Sequence, residues 1–241
     1  QSSGATEVIN PLIEFLTVGG PVVWILLVFS VVALSITLLK LYQFSRSQLV
    51  ESEDVEASLR AWQEGNIGKA ADLIDMNAPL SRIVLQAQQA CCDTYSGQNL
   101  SQHERGNLLS KHREELSRQA ASLMQRLQSL LRPLEMIAML SPLLGLLGTV
   151  LGMIEAFQRM ESAGSQVDPS ILSGGIWQAL LTTAVGLAVA IPVVMVHGYF
   201  ERKCEHVAFL LNDSVTRVFT MMPEVLTKRA EQKPSGVSHV A

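Results

Sequence analysis

The sequence predicts an all-α membrane protein with three transmembrane helices, the second and third extended into a cytoplasmic helical bundle. Three observations carry that prediction. The apolar residues gather in three blocks, Pro21–Phe44, Pro133–Phe157 and Ile171–Phe200, each long enough for the roughly 20 residues a helix needs to cross a bilayer. The second and third blocks carry stripes of small residues where lipid contact would favour Leu, Ile, Val and Phe. The basic residues are distributed unevenly between the segments outside the blocks, which sets an orientation. The whole chain has 241 residues, is 48% hydrophobic, and has a mean hydropathy of +0.27.

Segment 1–20 holds Glu7 and Glu14 and no Lys or Arg, so it is expected outside. Span 21–44 follows Gly19-Gly20-Pro21, a natural helix start, and is charged only at Lys40. It has neither the basic leader nor the small-residue cleavage pattern of a signal peptide, so it is expected to remain as a spanning helix. Residues 45–132 are mixed in charge and expected inside. Within them Ala57–Gln63, Ile67–Leu73 and Leu80–Cys92 read as short amphipathic helices, with Gly65 and Gly68 as breaks. Ser101-Gln-His-Glu104 reads as the cap of a long helix, Ser101–Leu131. Its Leu108, Leu109, Leu116, Ala120, Leu123 and Leu127 recur at helical spacing, and Arg132-Pro133 marks a kink or a restart. After span 133–157, the short loop 158–170 has only Arg159 as a basic residue and is expected outside. Span 171–200 is followed by Arg202 and Lys203. Apolar residues from Val207 to Met222 keep helical spacing, so 201–228 continues as a cytoplasmic helix. The tail 229–241 has the Pro, Ser and Gly content of disorder. The N-terminus is thus expected outside and the C-terminus inside.

The small residues of the second span are Ser141, Gly145, Gly148, Thr149, Gly152 and Ala156, and those of the third are Ala179, Thr183, Gly186 and Ala190. Successive members lie mostly three or four apart, which puts each set on one helical face. Thr149 lies about 24 Å into its helix from Pro133, and Thr183 about 25 Å before Phe200 in a helix running the other way. Two hydroxyls are therefore expected at one depth. A hydroxyl can relay a proton or help to coordinate a bare cation. It can equally bond a carbonyl of its own helix and only pack. Gln178 sits about 7 Å outward of Thr183 and about 140° round the helix. Its amide cannot ionise, and a simple interhelical hydrogen bond would account for it.

Ionisable residues inside a membrane are functional suspects. Glu135, Glu155 and His197 all lie close enough to helix ends to reach water, and no Asp or Glu stands at mid-membrane. If protons cross, the titrating carboxylate must come from another chain. Cys91, Cys92 and Cys204 have no metal-ligand spacing with His and read as reduced cytoplasmic thiols. No metal site, cofactor or enzymatic nucleophile–base arrangement is expected. The net charge of −4 argues against a nucleic-acid partner.

Leu140-Ser-Pro-Leu-Leu-Gly-Leu-Leu-Gly-Thr-Val-Leu-Gly-Met-Ile-Glu-Ala-Phe157 closely resembles the second helix of the ExbB/TolQ/MotA proton-channel family. Gly174-Gly-Ile-Trp-Gln-Ala-Leu-Leu-Thr-Thr-Ala-Val-Gly-Leu-Ala-Val-Ala-Ile-Pro192 resembles the third, and Gly19-Gly-Pro-Val-Val-Trp24 the start of the first in ExbB-type members. The resemblance implies a homopentameric ring in a bacterial inner membrane, whose outer side, where segment 1–20 is expected, is the periplasmic side. The ring would surround a dimer of ExbD-like single-span subunits, whose aspartate carries the proton, and pass work to a TonB-like protein. It also implies that the pore threonines are Thr149 and Thr183. ExbB and TolQ proteins usually carry a glutamate where this chain has Gln178. A TolQ-like subunit of the Tol-Pal envelope system is one alternative, and the departure at Gln178 leaves a non-conducting membrane scaffold as another.

Overall fold

A computed structural model describes residues 19–46, 53–76, 78–96, 100–162 and 169–226. The segment before the first span, the middle of the outer loop and the proposed disordered tail lie outside the described residues. Seven α-helices are described: α1 Gly20–Arg46, α2 Glu53–Gln63, α3 Ile67–Asp72, α4 Pro79–Ser96, α5 Gln102–Gln128, α6 Leu131–Ser162 and α7 Pro169–Thr220. Three stretches are long and apolar enough to cross a membrane: Gly20–Ser45, Gln102–Ser162 and Leu172–Leu226. The last two extend well beyond the predicted spans. The chain divides into two compact units, one of residues 1–41 and 130–201, the other of 42–129 and 202–241.

In the first unit, α1 and the apolar parts of α6 and α7 meet through Ala33, Ile36, Leu134, Ile137, Ala138 and Val193. Many large apolar side chains stay exposed, among them Val31, Leu34, Leu143, Leu147, Leu180 and Ile191. An apolar exterior around a small-residue interior suits hydrocarbon as the surrounding solvent. Pro142 and Pro192 both lie inside continuous helices, as lipid-exposed helices tolerate when neighbours satisfy the freed carbonyls.

In the second unit, α2, α3, α4, α5 and the later part of α7 enclose a conventional hydrophobic core that includes Val55, Leu59, Trp62, Ile83, Val84, Leu116 and Val218. The Ser101 cap is present as expected. Ser101 Oγ accepts from the Glu104 backbone N–H, while the Glu104 carboxylate accepts from the Ser101 N–H. The Ser101 hydroxyl, which also donates to the Glu104 carboxylate at 2.7 Å, and then the Ser101 N–H hold that carboxyl below its usual range. Gly65 is a break, with φ +79°. Gly68, expected as a second break, instead lies inside α3. One glycine in a helix interior costs only about 1 kcal/mol, which Ala70, buried in the unit's core, helps to offset. The long helix ends at Gln128, and α6 restarts at Leu131. Arg132-Pro133 therefore falls in a first helical turn, where proline's missing N–H leaves no bond unmade.

Trp62 is fully buried, and its indole N–H donates to the Val218 carbonyl at 3.3 Å. Val218 lies in the last turn of α7, where carbonyls lack helical donors. Arg217 binds Glu56 at 2.7 Å beside this contact. Trp62→Ala should cost about 3–5 kcal/mol; Trp62→Phe, which keeps most of the packing, should cost nearer 1 kcal/mol. Chemical denaturation followed by circular dichroism would check the order. All three cysteines are free. Burial, then the neighbouring Cys92, pushes the Cys91 thiol up to about 12, which leaves it protonated and unreactive.

Candidate functional site

The small-residue faces of α6 and α7 meet. On α6 the buried set includes Ser141, Gly145, Gly148, Gly152 and Ala156. On α7 it is Ala179, Thr182, Gly186 and Ala190. The approach is close because several of these positions have no side chain. A Cβ on Gly186 would lie 2.7 Å from the Ser141 carbonyl oxygen and 3.0 Å from the Gly145 Cα. A Cβ on Gly148 would lie 2.6 Å from the Thr182 hydroxyl oxygen. Thr182 thus fills the hollow that Gly148 leaves, and Gly152 stands against Ala179 at ordinary contact distance.

The predicted hydroxyls are both part-buried beside this seam. Gly148 faces Thr182, so the residues that follow them, Thr149 and Thr183, stand at neighbouring levels of antiparallel helices. Their bonds differ. Thr149 donates to Leu146 O of its own helix at 2.7 Å, the packing alternative that sequence alone left open. Thr183 donates across the interface to Gly145 O at 3.2 Å. Both hydroxyl protons are thus directed at carbonyls, and both oxygens keep acceptor capacity.

Thr182 is the residue that sequence reasoning passed over. It is 2% exposed, donates to Ala179 O at 2.8 Å and lies 3.5 Å from Gly145 O. Helical spacing from Ala179 admits either Thr182 or Thr183. The deciding signal is the hollow at Gly148, which needs a short branched side chain opposite. Gln178 is half-buried on the side facing the start of α1. Its Nε2 is 3.6 Å from where a Gly20 Cβ would stand, and Gly20 has φ +66°. That conformation favours glycine.

The ionisable residues of the spans lie toward the helix ends, as expected. Glu155 is exposed and paired with Arg159. Glu135 is exposed. His197 lies 3.9 Å from Glu201. Lys40 is the exception: its side chain is fully buried near the end of α1. Among the described residues no group of His, Cys, Asp and Glu is arranged to hold a metal ion. The interface therefore offers hydroxyls, carbonyls and an amide, and no carboxylate.

Such an interface is general to packed spanning helices, and the sequence profile decides the family. Residues 77–212, more than half of the chain, match the MotA/TolQ/ExbB proton channel family. The chain belongs to that family. The match runs from the start of α4 into the later part of α7, so it takes in both threonines, Gln178 and the whole small-residue seam. A comparison with curated proteins finds no match. As a member of the MotA/TolQ/ExbB proton channel family with three apolar helices, the chain is a multi-pass membrane protein.

Proposed function

We propose that this chain is the ring-forming subunit of an ExbB-type, proton-driven motor in a bacterial inner membrane. Five copies would surround two ExbD-like single-span subunits, and the work would reach outer-membrane transport through a TonB-like protein. The N-terminus would be periplasmic and the C-terminus cytoplasmic. The observation that carries this reading is the pair of hydroxyls on α6 and α7, Thr149 bonded within its own helix and the part-buried Thr183 bonded across to Gly145 O. Hydroxyls and carbonyls can pass a proton but cannot hold it as a stable charge. A titrating carboxylate on a partner supplies the missing element, and the chain needs no enzymatic role or cofactor.

Reconstitution tests the proposal. Vesicles containing this chain and a single-span companion, given a proton gradient, should acidify a trapped pH-sensitive dye faster than vesicles with either component alone. Equal rates in all three would refute conduction. A TolQ-like role predicts the same flux with a different envelope partner, which co-purification would identify.

Gln178 supports a second reading, a non-conducting scaffold. Its amide faces the start of α1 and cannot exchange a proton as a glutamate would. Gln178→Glu separates the two. If the scaffold reading holds, flux is absent in the parent and appears in the variant. If the threonines and the partner carboxylate suffice, flux in the parent is already within about twofold of the variant, less than 0.5 kcal/mol in barrier.

A further inference from the structure

In the second unit, a groove of about 290 Å³ opens between α4 and α5. Its floor is apolar, formed by Ile83 and Leu123, and its rim carries Arg82, Gln86, Arg118, Gln119, Ser122 and Arg126. Pro79, the first residue of α4, also lines it. The unbonded N–H groups and positive dipole of an 18-residue helix therefore lie at the same groove.

The charges do not cancel locally. Arg118 is committed to Glu115, with Nε at 3.0 Å and Nη2 at 2.6 Å from the carboxylate. Gln119 also donates to Glu115. These bonds, Arg118 first, hold the Glu115 carboxyl down to about 2, so the pair persists through the neutral range. Among the described residues Arg82 and Arg126 form no ion pair. Two guanidinium groups remain, one from α4 and one from α5, in the lining of a groove that also offers hydrogen-bonding amides and a hydroxyl.

We propose that this groove binds a phosphate group. Two spare positive charges match a phosphate ester or dianion, and guanidinium forks match its oxygens in pairs. The volume leaves room for a small substituent beyond the phosphorus. Two sources share this chemistry, a free phosphate compound and the headgroup of an anionic phospholipid. The second is within reach, because only six residues lie between Arg126 and Pro133, at most about 25 Å of fully extended chain. This site is independent of proton conduction.

The test uses the full chain in detergent and in bilayer nanodiscs. Calorimetric titration with inorganic phosphate and glycerol 3-phosphate probes the free source. Native mass spectrometry of the detergent-solubilised chain, with added phosphatidylglycerol, counts retained lipid and probes the headgroup. In one of the two arms, the double variant Arg82→Gln, Arg126→Gln should bind at least about tenfold more weakly than the parent. Arg113→Gln, on α5 but outside the groove rim, should stay within twofold. All three arginines are exposed, and circular dichroism confirms folding. Binding in neither arm overturns the proposal. So does an equal loss in Arg113→Gln, which would mark diffuse attraction by surface charge.

Discussion

Gly186→Ala should be strongly destabilising, one of two severe single-methyl additions at the described glycines of α7 with Gly175→Ala, whose Cβ would collide with the Ala156 Cβ. The new Cβ would lie 2.7 Å from a backbone oxygen, Ser141 O, and 3.0 Å from a backbone carbon, Gly145 Cα. Neither can move without shifting a helix. Overpacking costs about 1–3 kcal/mol when side chains can yield, and here they are not the obstacle. The expected penalty is at or above about 3 kcal/mol, and Gly186→Val should fail to assemble. Gly106→Ala is the matched control: its Cβ would meet nothing within 4 Å, so it should gain about 0.5–1 kcal/mol from helix propensity. Thermal denaturation in one detergent would compare the three. A Gly186→Ala midpoint equal to that of Gly106→Ala would show that α6 and α7 do not pack as described.

The second large effect concerns conduction. Thr183→Val keeps shape but removes the donor that reaches Gly145 O across the interface. Assembly should survive, since one neutral hydrogen bond contributes about 0.5–1.5 kcal/mol. Proton flux should fall at least about tenfold, equivalent to about 1.4 kcal/mol in barrier. Thr149→Val should also lower flux. Thr182→Val provides the discriminating comparison. Its hydroxyl is buried against its own helix at Ala179 O, so it should change flux less than Thr183→Val. The reverse order would move the pathway onto Thr182 and overturn the assignment of Thr183.

The three spans were legible because hydropathy and length are local properties of sequence. So was the Ser101 cap, whose partner lies three residues away. Of the six small residues that the spacing puts on one face of α6, five are buried in the structure and Thr149 is not. On α7 the stripe turned by one residue, from Thr183 to Thr182. Adjacent threonines fit one periodicity equally well, and only the opposing surface at Gly148 distinguishes them. Gly68 misled for a related reason. A glycine is a break only where the backbone needs it, as at Gly65 with φ +79°. The arginine groove was out of reach altogether. Arg82 and Arg126 come together only through the pairing of α4 with α5, and no local pattern announces that pairing.

With glycine, alanine and serine spent on the contact between α6 and α7, the opposite side of α6 is left to Leu143, Leu146, Leu147, Val150 and Ile154. Lipid tails or a neighbouring helix pressing there would find branched hydrocarbon and no donor or acceptor among those side chains. Dispersion forces at such a surface are shallow and nearly indifferent to angle. Grip within the hairpin thus leaves slip outside it, the condition a bearing must satisfy if something is to turn against it.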